Sequence, residues 1–427
     1  MNAKVKLTIL NFLEFAVWGA YLTSMGNYLA SVGMAGQIGW FYSVQGFVSL
    51  FMPALMGIVA DRWIEAQRLL SLSHLLAGAF MLAACVYGTQ AGGAVRFAPL
   101  FALYTLSVAF YMPTIALSNS VAYSALDQAG LDTVKAFPPI RVFGTVGFII
   151  SMWIVDLGGM QSTPMQFGWS GLLGIVLAAY AFTIPRCPIS KGARKSLADA
   201  LGLKAFSLFR NYRMALFFIF SMFLGVCLQI TNGFANPFIT SFGSIAEFQD
   251  TFGVRHANIL ISLSQVSETL CILLIPFFLK RFGIKRVMLL AMLAWVLRYL
   301  FFAVGNPGSG VVWFVLSMIV YGVAFDFFNI SGSLFVDKET SLDIRNSAQG
   351  LFMMMTNGFG ATIGTLSAQQ VVNHYVFDLG AGADPMAVWQ GWNTCWYIFA
   401  GYALVVAVAF ALMFRYKHVP GDGKALD

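Results

Sequence analysis

The segment Val311–Phe335, VVWFVLSMIVYGVAFDFFNISGSLF, is apolar throughout except for a carboxylate, Asp326, and an amide, Asn329, set well inside it. A helix needs about 20 residues, at 1.5 Å each, to cross the hydrocarbon core of a bilayer, and this run is long enough. A charged side chain at that depth costs at least about 2.5 kcal/mol even on lenient insertion scales. The segment therefore reads as a membrane helix that carries an acid for a purpose.

The rest of the chain has the same character. Of 427 residues, 59% are hydrophobic and only 10% charged, far from the roughly 25% charged residues of soluble proteins. Apolar segments of spanning length cover approximately 7–31, 37–60, 69–88, 97–126, 138–157, 167–185, 214–242, 256–279, 285–304, 311–335, 345–373 and 389–414. The expected fold is an all-α membrane protein of twelve transmembrane helices. The longest polar connection lies between Arg186 and Arg213. It divides the chain into an N-terminal six-helix bundle (1–186), a linker (187–212) and a C-terminal six-helix bundle (213–427). The formal charge of +7 is punctuation between apolar segments, so topology explains it better than a nucleic-acid partner does.

Placing the N-terminus in the cytoplasm puts Lys4, Lys6, Arg62, Arg68, Lys135, Arg141, Lys280, Arg281, Lys285, Arg286, Lys338, Arg345, Arg415, Lys417, Lys424 and the basic residues of the linker inside or at the inner boundary, leaving Arg96 and Arg255 outside. This asymmetry predicts that both termini are cytoplasmic. In the linker, Leu197, Leu201, Ala205 and Leu208 recur at helical spacing among lysines and arginines, which predicts a short helix on the inner membrane surface. The halves echo each other. YMPTIALSNS is followed by Arg141 at the start of the next helix, and YGVAFDFFNISGS is followed likewise by Arg345. Parallel six-helix repeats are a recurrent plan for transporters.

Polar residues inside the spans fall on shared helix faces: Gln229 with Asn232, Gln265 with Glu268 and Asp326 with Asn329 at i,i+3, and Arg141 with Thr145 at i,i+4, with Phe148 three further on. Tyr321, Phe325 and Phe328 follow i, i+4, i+7. A single membrane amide is most simply an interhelical hydrogen bond worth about 1 kcal/mol. Three amide faces with two carboxylates and an arginine instead point to a lined cavity, since intramembrane ionisable groups are functional candidates by default. Arg298 reads either as a partner for a carboxylate or, lying toward the outer end of its helix, as a residue that snorkels. Glu14 reads either as a proton site or as an interfacial anchor near Lys6. The four histidines and five cysteines are scattered without metal or disulfide spacing and carry no assignment. No phosphate-binding loop or nucleophile–base motif is present, so neither ATP-driven transport nor an enzyme is expected.

PPIRVFGTVGF, LQITN, SQVSETL, YGVAFDFFNISGSLFVDKE and RNSAQGLFMMMTNGFGATIG are similar to the bacterial nucleoside:proton symporter family, and the twelve-helix plan resembles the major facilitator superfamily. The loop GIVADRWIEAQR lacks the glycine that follows Asp-Arg in the superfamily signature, and Glu14 stands where relatives carry an amide. The resemblance implies two pseudo-symmetric bundles, alternating access and proton-driven import of nucleosides across the bacterial inner membrane, by a monomer without cofactor or metal. Matched motif to motif, substrate contacts fall on Arg141, Thr145, Phe148, Gln229, Asn232, Gln265, Glu268, Tyr321, Phe325 and Asp326, with Asn329 beside them on the same face as Asp326. Asp326, Glu268 and Arg141 are the proton-coupling candidates. The chemistry suits a nucleoside: aromatic faces stack on a flat base while amides and carboxylates bond the ribose and base edge. One charge carried inward yields about 2.3 kcal/mol per 100 mV, enough for roughly fifty-fold accumulation of a neutral solute. Two other readings stand beside it: proton-linked import of a sugar or similar polyol, and a receptor that binds a small polar ligand without transporting it.

Overall fold

The computed structural model describes residues 2–187, 203–341, 344–380 and 382–416, and the regular structure among them is helical. Seven of the described helices are long and apolar enough to cross a bilayer singly, and a pair bent by 41°, Ala35–Ser49 with Met52–Ala60, makes an eighth crossing. The first span is interrupted, running Ala3–Gly19 and then Met25–Ser31. The sixth is the shorter Met165–Ala181. The eleventh joins Arg345–Met353 to Ala361–Tyr375 through a π-helical stretch, Met354–Gly360. The longest continuous helix, Ala257–Val304, is two spans. Gly283 sits inside it at φ 74°, a left-handed conformation that glycine alone adopts at no steric cost, so the chain turns there between the segments expected at 256–279 and 285–304. Twelve spans result among the described residues, in the order expected of the major facilitator plan. The others are Ala66–Ala91 (third), Phe97–Gln128 (fourth), Thr133–Leu157 (fifth), Tyr212–Ser241 (seventh), Val311–Glu339 (tenth) and Pro385–Met413 (twelfth).

The chain divides into two compact units, Met1–Leu201 and Gly202–Asp427. In the first unit the first span packs on the fifth, the third on the fourth and sixth, and the second on the fourth. In the second unit the seventh packs on the eleventh, the eighth and ninth on the tenth, and the ninth on the twelfth through Tyr299 and Trp396, whose rings stack at 5.9 Å. The order of partners in one unit repeats in the other, as an internal duplication requires. Leu157, Phe182, Leu273 and Leu412 lie exposed on the helix surfaces, which is the cheap arrangement when the solvent is hydrocarbon.

Of the linker, Lys191, Arg194, Lys195, Leu197 and Leu201 fall outside the described residues. Within the described part of the linker, Leu203–Arg210 is a short 3₁₀ helix, with Ala205 buried and Lys204 and Arg210 exposed. It ends at once on Asn211, whose side chain accepts from the backbone N–H groups of Arg213 and Met214 and caps the seventh span.

Glycines set how closely spans approach. A Cβ on Gly147 would lie 2.1 Å from the carbonyl oxygen of Phe12, and one on Gly225 would lie 2.2 Å from that of Thr356. These contacts join the first span to the fifth and the seventh to the eleventh, at equivalent places in the repeat. Small residues let membrane helices touch backbone to backbone, the main source of their attraction in lipid. Gly147→Val is therefore expected to lower stability by about 2 kcal/mol or more. Gly401→Ala, whose added carbon meets nothing, is expected to leave it within about 0.5 kcal/mol. Thermal unfolding in detergent with the two variants side by side checks this; equal midpoints would remove the close crossing from the account.

Candidate functional site

In the second unit the site is built on the crossing of the eighth and tenth spans. Gly322 allows it: a Cβ there would stand 2.5 Å from the carbonyl oxygen of Ser267, and the Ser267 hydroxyl donates to the carbonyl of Ile319. This approach makes half-buried Glu268 the charged neighbour of Asp326. Asp326 is 5% exposed, and its Oδ2 meets no hydrogen-bond partner among the described residues. Phe325, the residue immediately before it, stacks on Tyr321 with ring centroids 5.7 Å apart and planes 5° from parallel. The i,i+4 spacing thus produces a flat aromatic face beside two acids.

Arg298 lies against this group and does not snorkel. It is 2% exposed, its guanidinium stands 4.6 Å over the Tyr321 ring, and Nη1 donates to the carbonyl of Ser317 at 2.8 Å and to the hydroxyl of Ser264 at 3.3 Å. Ser317 returns a bond to the Arg298 carbonyl at 2.9 Å. Nearness to a helix end in sequence suggested an escape to water, but these bonds hold the side chain within the bundle. Trp295, one turn earlier, meets Tyr321 edge-on at 5.9 Å.

On the seventh span the Asn232 side chain donates to Gln229 Oε1 at 2.9 Å, so the two amides act as one unit, leaving the Gln229 amide nitrogen and the Asn232 oxygen for another partner. Gln265 stands half-buried one turn before Glu268. Phe325 and Asn329 line a recess of about 20 Å³ together with Trp295, Thr356 and Asn357. A drug-sized ligand needs roughly 300 Å³ or more, so this recess is water-sized. Trp295, Thr356 and Asn357 were not among the sequence candidates. The motif containing the last two was recognised, but the π-helical stretch that carries them leaves no mark in the residue spacing.

In the first unit Arg141 lies with its guanidinium 3.9 Å over the Phe15 ring. Phe148 is buried, edge-on to Trp18 at 6.2 Å, with Gly19 packed on its backbone. Thr145 is half-buried between them in sequence. Phe148 is thus engaged in holding the first span to the fifth. Beside these residues stands Glu14 with a partner that sequence reading missed. Glu14 is fully buried and paired with His74, Oε2 to Nε2 at 2.8 Å. It is not an anchor near Lys6, which instead donates to the carbonyl of Thr183 at 2.6 Å. His74, one of the scattered histidines left without a role, had no signal except its place mid-span in the same half as a mid-span acid. Among the described residues no group of acidic, histidine or cysteine side chains could hold a metal.

A family model described as "Nucleoside H+ symporter" matches residues 1–419. The chain is 47% identical over 425 residues to the xanthosine permease of Escherichia coli (strain K12), covering 98% of each chain. It is also 47% identical to the nucleoside permease NupG of the same strain, over 98% of this chain and 97% of that one. The crystal structure of nucleoside transporter NupG superposes with a TM-score of 0.87 at 46% identity, over 98% of this chain and all of that one. With the model spanning both units and nearly half of all residues shared with these permeases, the chain belongs to the nucleoside:proton symporter family.

Proposed function

We propose that this protein is a secondary active importer that carries nucleosides with protons through the bacterial inner membrane, and is not an enzyme. The family and the two permease relatives support the substrate class and the coupling ion. The observation that carries the reading to named residues is the buried Asp326, with Glu268 as its charged neighbour and a parallel aromatic pair, Tyr321 and Phe325, just before it on the same helix. A flat base has a face to stack on, and ribose hydroxyls have acids and amides to bond. The aromatic pair favours a nucleoside over a simple sugar, which offers no flat ring of comparable area.

In this reading Gln229, Asn232, Gln265, Glu268, Tyr321, Phe325, Asp326 and Asn329 are the substrate contacts of the second unit, and Arg141, Thr145 and Phe148 are the candidate contacts that the first unit carries by itself. Two neighbouring carboxylates in a poorly solvated place repel each other when both are ionised, and a proton on one removes that repulsion. Binding a proton and binding a ribose hydroxyl then involve the same oxygens, which ties one event to the other. Both termini lie in the cytoplasm, in keeping with the distribution of lysine and arginine, and the protein works as a monomer in the lipid bilayer.

Asp326→Asn keeps the shape and removes the titrating group, so nucleoside accumulation in proteoliposomes under an imposed proton gradient is expected to collapse to the equilibrium level. Glu268→Gln is measured alongside. Normal accumulation by Asp326→Asn with failure of Glu268→Gln would move the coupling to Glu268, and normal accumulation by both would place it elsewhere.

Gln229→Ala and Asn232→Ala each break the side-chain pair on the seventh span and are expected to weaken nucleoside binding by about 1.4 kcal/mol, near tenfold. Isothermal calorimetry with uridine and adenosine reads this, with the melting temperature as the folding control. Unchanged affinity would return these amides to helix packing, and tighter competition by a simple sugar than by either nucleoside would favour the polyol reading.

A further inference from the structure

Glu14 and His74 come from the first and third spans, and both are 0% exposed. Their contact, 2.8 Å between Oε2 and Nε2, joins the two side-chain types best suited to share a proton. The remaining oxygen of Glu14, Oε1, lies 2.6 Å from the hydroxyl of Thr114 on the fourth span. That hydroxyl also lies 2.6 Å from the carbonyl of Tyr111. One hydroxyl hydrogen cannot serve both. When Glu14 is a carboxylate, Thr114 donates to it. When Glu14 is a carboxylic acid with its proton on Oε2, that proton faces His74 Nε2 and Oε1 still accepts from Thr114. Either protonation state of Glu14 is thus satisfied without moving a helix.

One proton is the number that leaves the pair without net charge. With one, the pair is an imidazolium beside a carboxylate or an imidazole beside a carboxylic acid, neutral in sum. Removing it leaves a buried net negative charge, and adding another leaves a positive one. The other titratable and charged groups facing the pair do not compete for this proton. The Tyr111 hydroxyl is committed to the backbone carbonyl of Glu14 at 2.8 Å, and Arg141 on the fifth span rests over Phe15 and acts on Tyr111 through its charge. From the sixth span a serine, Ser170, bonds the carbonyl of Val17. His74 Nδ1 meets no hydrogen-bond partner among the described residues, so nothing within the bundle fixes the imidazole in one protonation state. A purely structural histidine is normally pinned at both nitrogens.

We propose that Glu14 and His74 form a second proton-binding site, in the first unit, which holds one proton between carboxylate and imidazole and exchanges it separately from Asp326 and Glu268. The proton moves between Glu14 Oε2 and His74 Nε2 and leaves to solvent with no other bond made or broken. The inference requires no nucleoside, so a failure of the transport reading would leave it standing, and the reverse also holds.

The full chain, with its four histidines labelled with ¹⁵N in the ring, is titrated in detergent between about pH 5 and 10, a range that brackets histidine titration. The His74 signals are assigned by their loss in His74→Gln. The expected result is that His74 titrates in the native protein and that a carboxylic-acid C=O band in infrared difference spectra changes at the same midpoint. In Glu14→Gln, an isostere of the protonated acid, the band disappears and His74 no longer titrates in this range. A native His74 that stays constant throughout, or one with the same midpoint in native and Glu14→Gln proteins, would overturn the proposal. If Glu14→Gln does not fold, Thr114→Val removes the hydroxyl that donates to Glu14 Oε1 and is expected to shift the midpoint by about one unit, tenfold in proton affinity; no shift would again overturn it.

Discussion

Backbone-to-backbone contact at glycines is the constraint on which everything else here rests. In hydrocarbon, helices gain nothing by hiding leucine from a solvent that is itself apolar, so two spans stay together only where their surfaces fit closely. Gly147 against Phe12, Gly225 against Thr356 and Gly322 against Ser267 are such places. Each does more than hold two helices. The approach at Gly322 sets Asp326 beside Glu268, and the approach at Gly147 keeps the first span, with Glu14 and Phe15, against the fifth, with Arg141. The polar groups are placed by neighbours that have no polar side chain at all.

Those groups are arranged with economy. Where a side chain cannot reach water, a second one or a backbone carbonyl answers it: Asn232 with Gln229, Arg298 with Ser317, Tyr299 with the carbonyl of Cys227 at 2.8 Å. The atoms left over fall at Asp326 Oδ2 and His74 Nδ1, among others, and both belong to side chains that can take or give a proton. An unsatisfied buried atom is costly; amide and indole atoms of Asn11, Trp392 and Trp396 share that condition.

The spans were legible in the sequence because each is an uninterrupted apolar run, and even the continuous helix Ala257–Val304 separates correctly at its basic turn. Same-helix pairs were legible too, since i,i+3 and i,i+4 spacing is a property of one helix: Gln229 and Asn232 do touch, and Tyr321 and Phe325 do stack. Contacts between helices were not. Glu14 and His74 are 60 residues apart, and nothing in either segment names the other. Arg298 was misread because its position along a helix says nothing about whether the face it occupies meets lipid or protein. The π-helical turn that brings Thr356 and Asn357 to the recess beside Asn329 rotates everything after it, a change of register that periodicity cannot reveal.

The way Arg298 is held has a consequence for the acids near it. Among the described residues its guanidinium is answered by a carbonyl, a hydroxyl and the faces of Tyr321 and Phe302, all of them neutral. A guanidinium stabilised in this way draws on no carboxylate. Had it formed an ion pair with one of the acids of the neighbouring spans, that acid would have been locked as an anion, and a gradient would have had one fewer group to load and unload. Held by dipoles and ring faces, Arg298 leaves the acids of the neighbouring spans without a fixed counter-charge from its guanidinium.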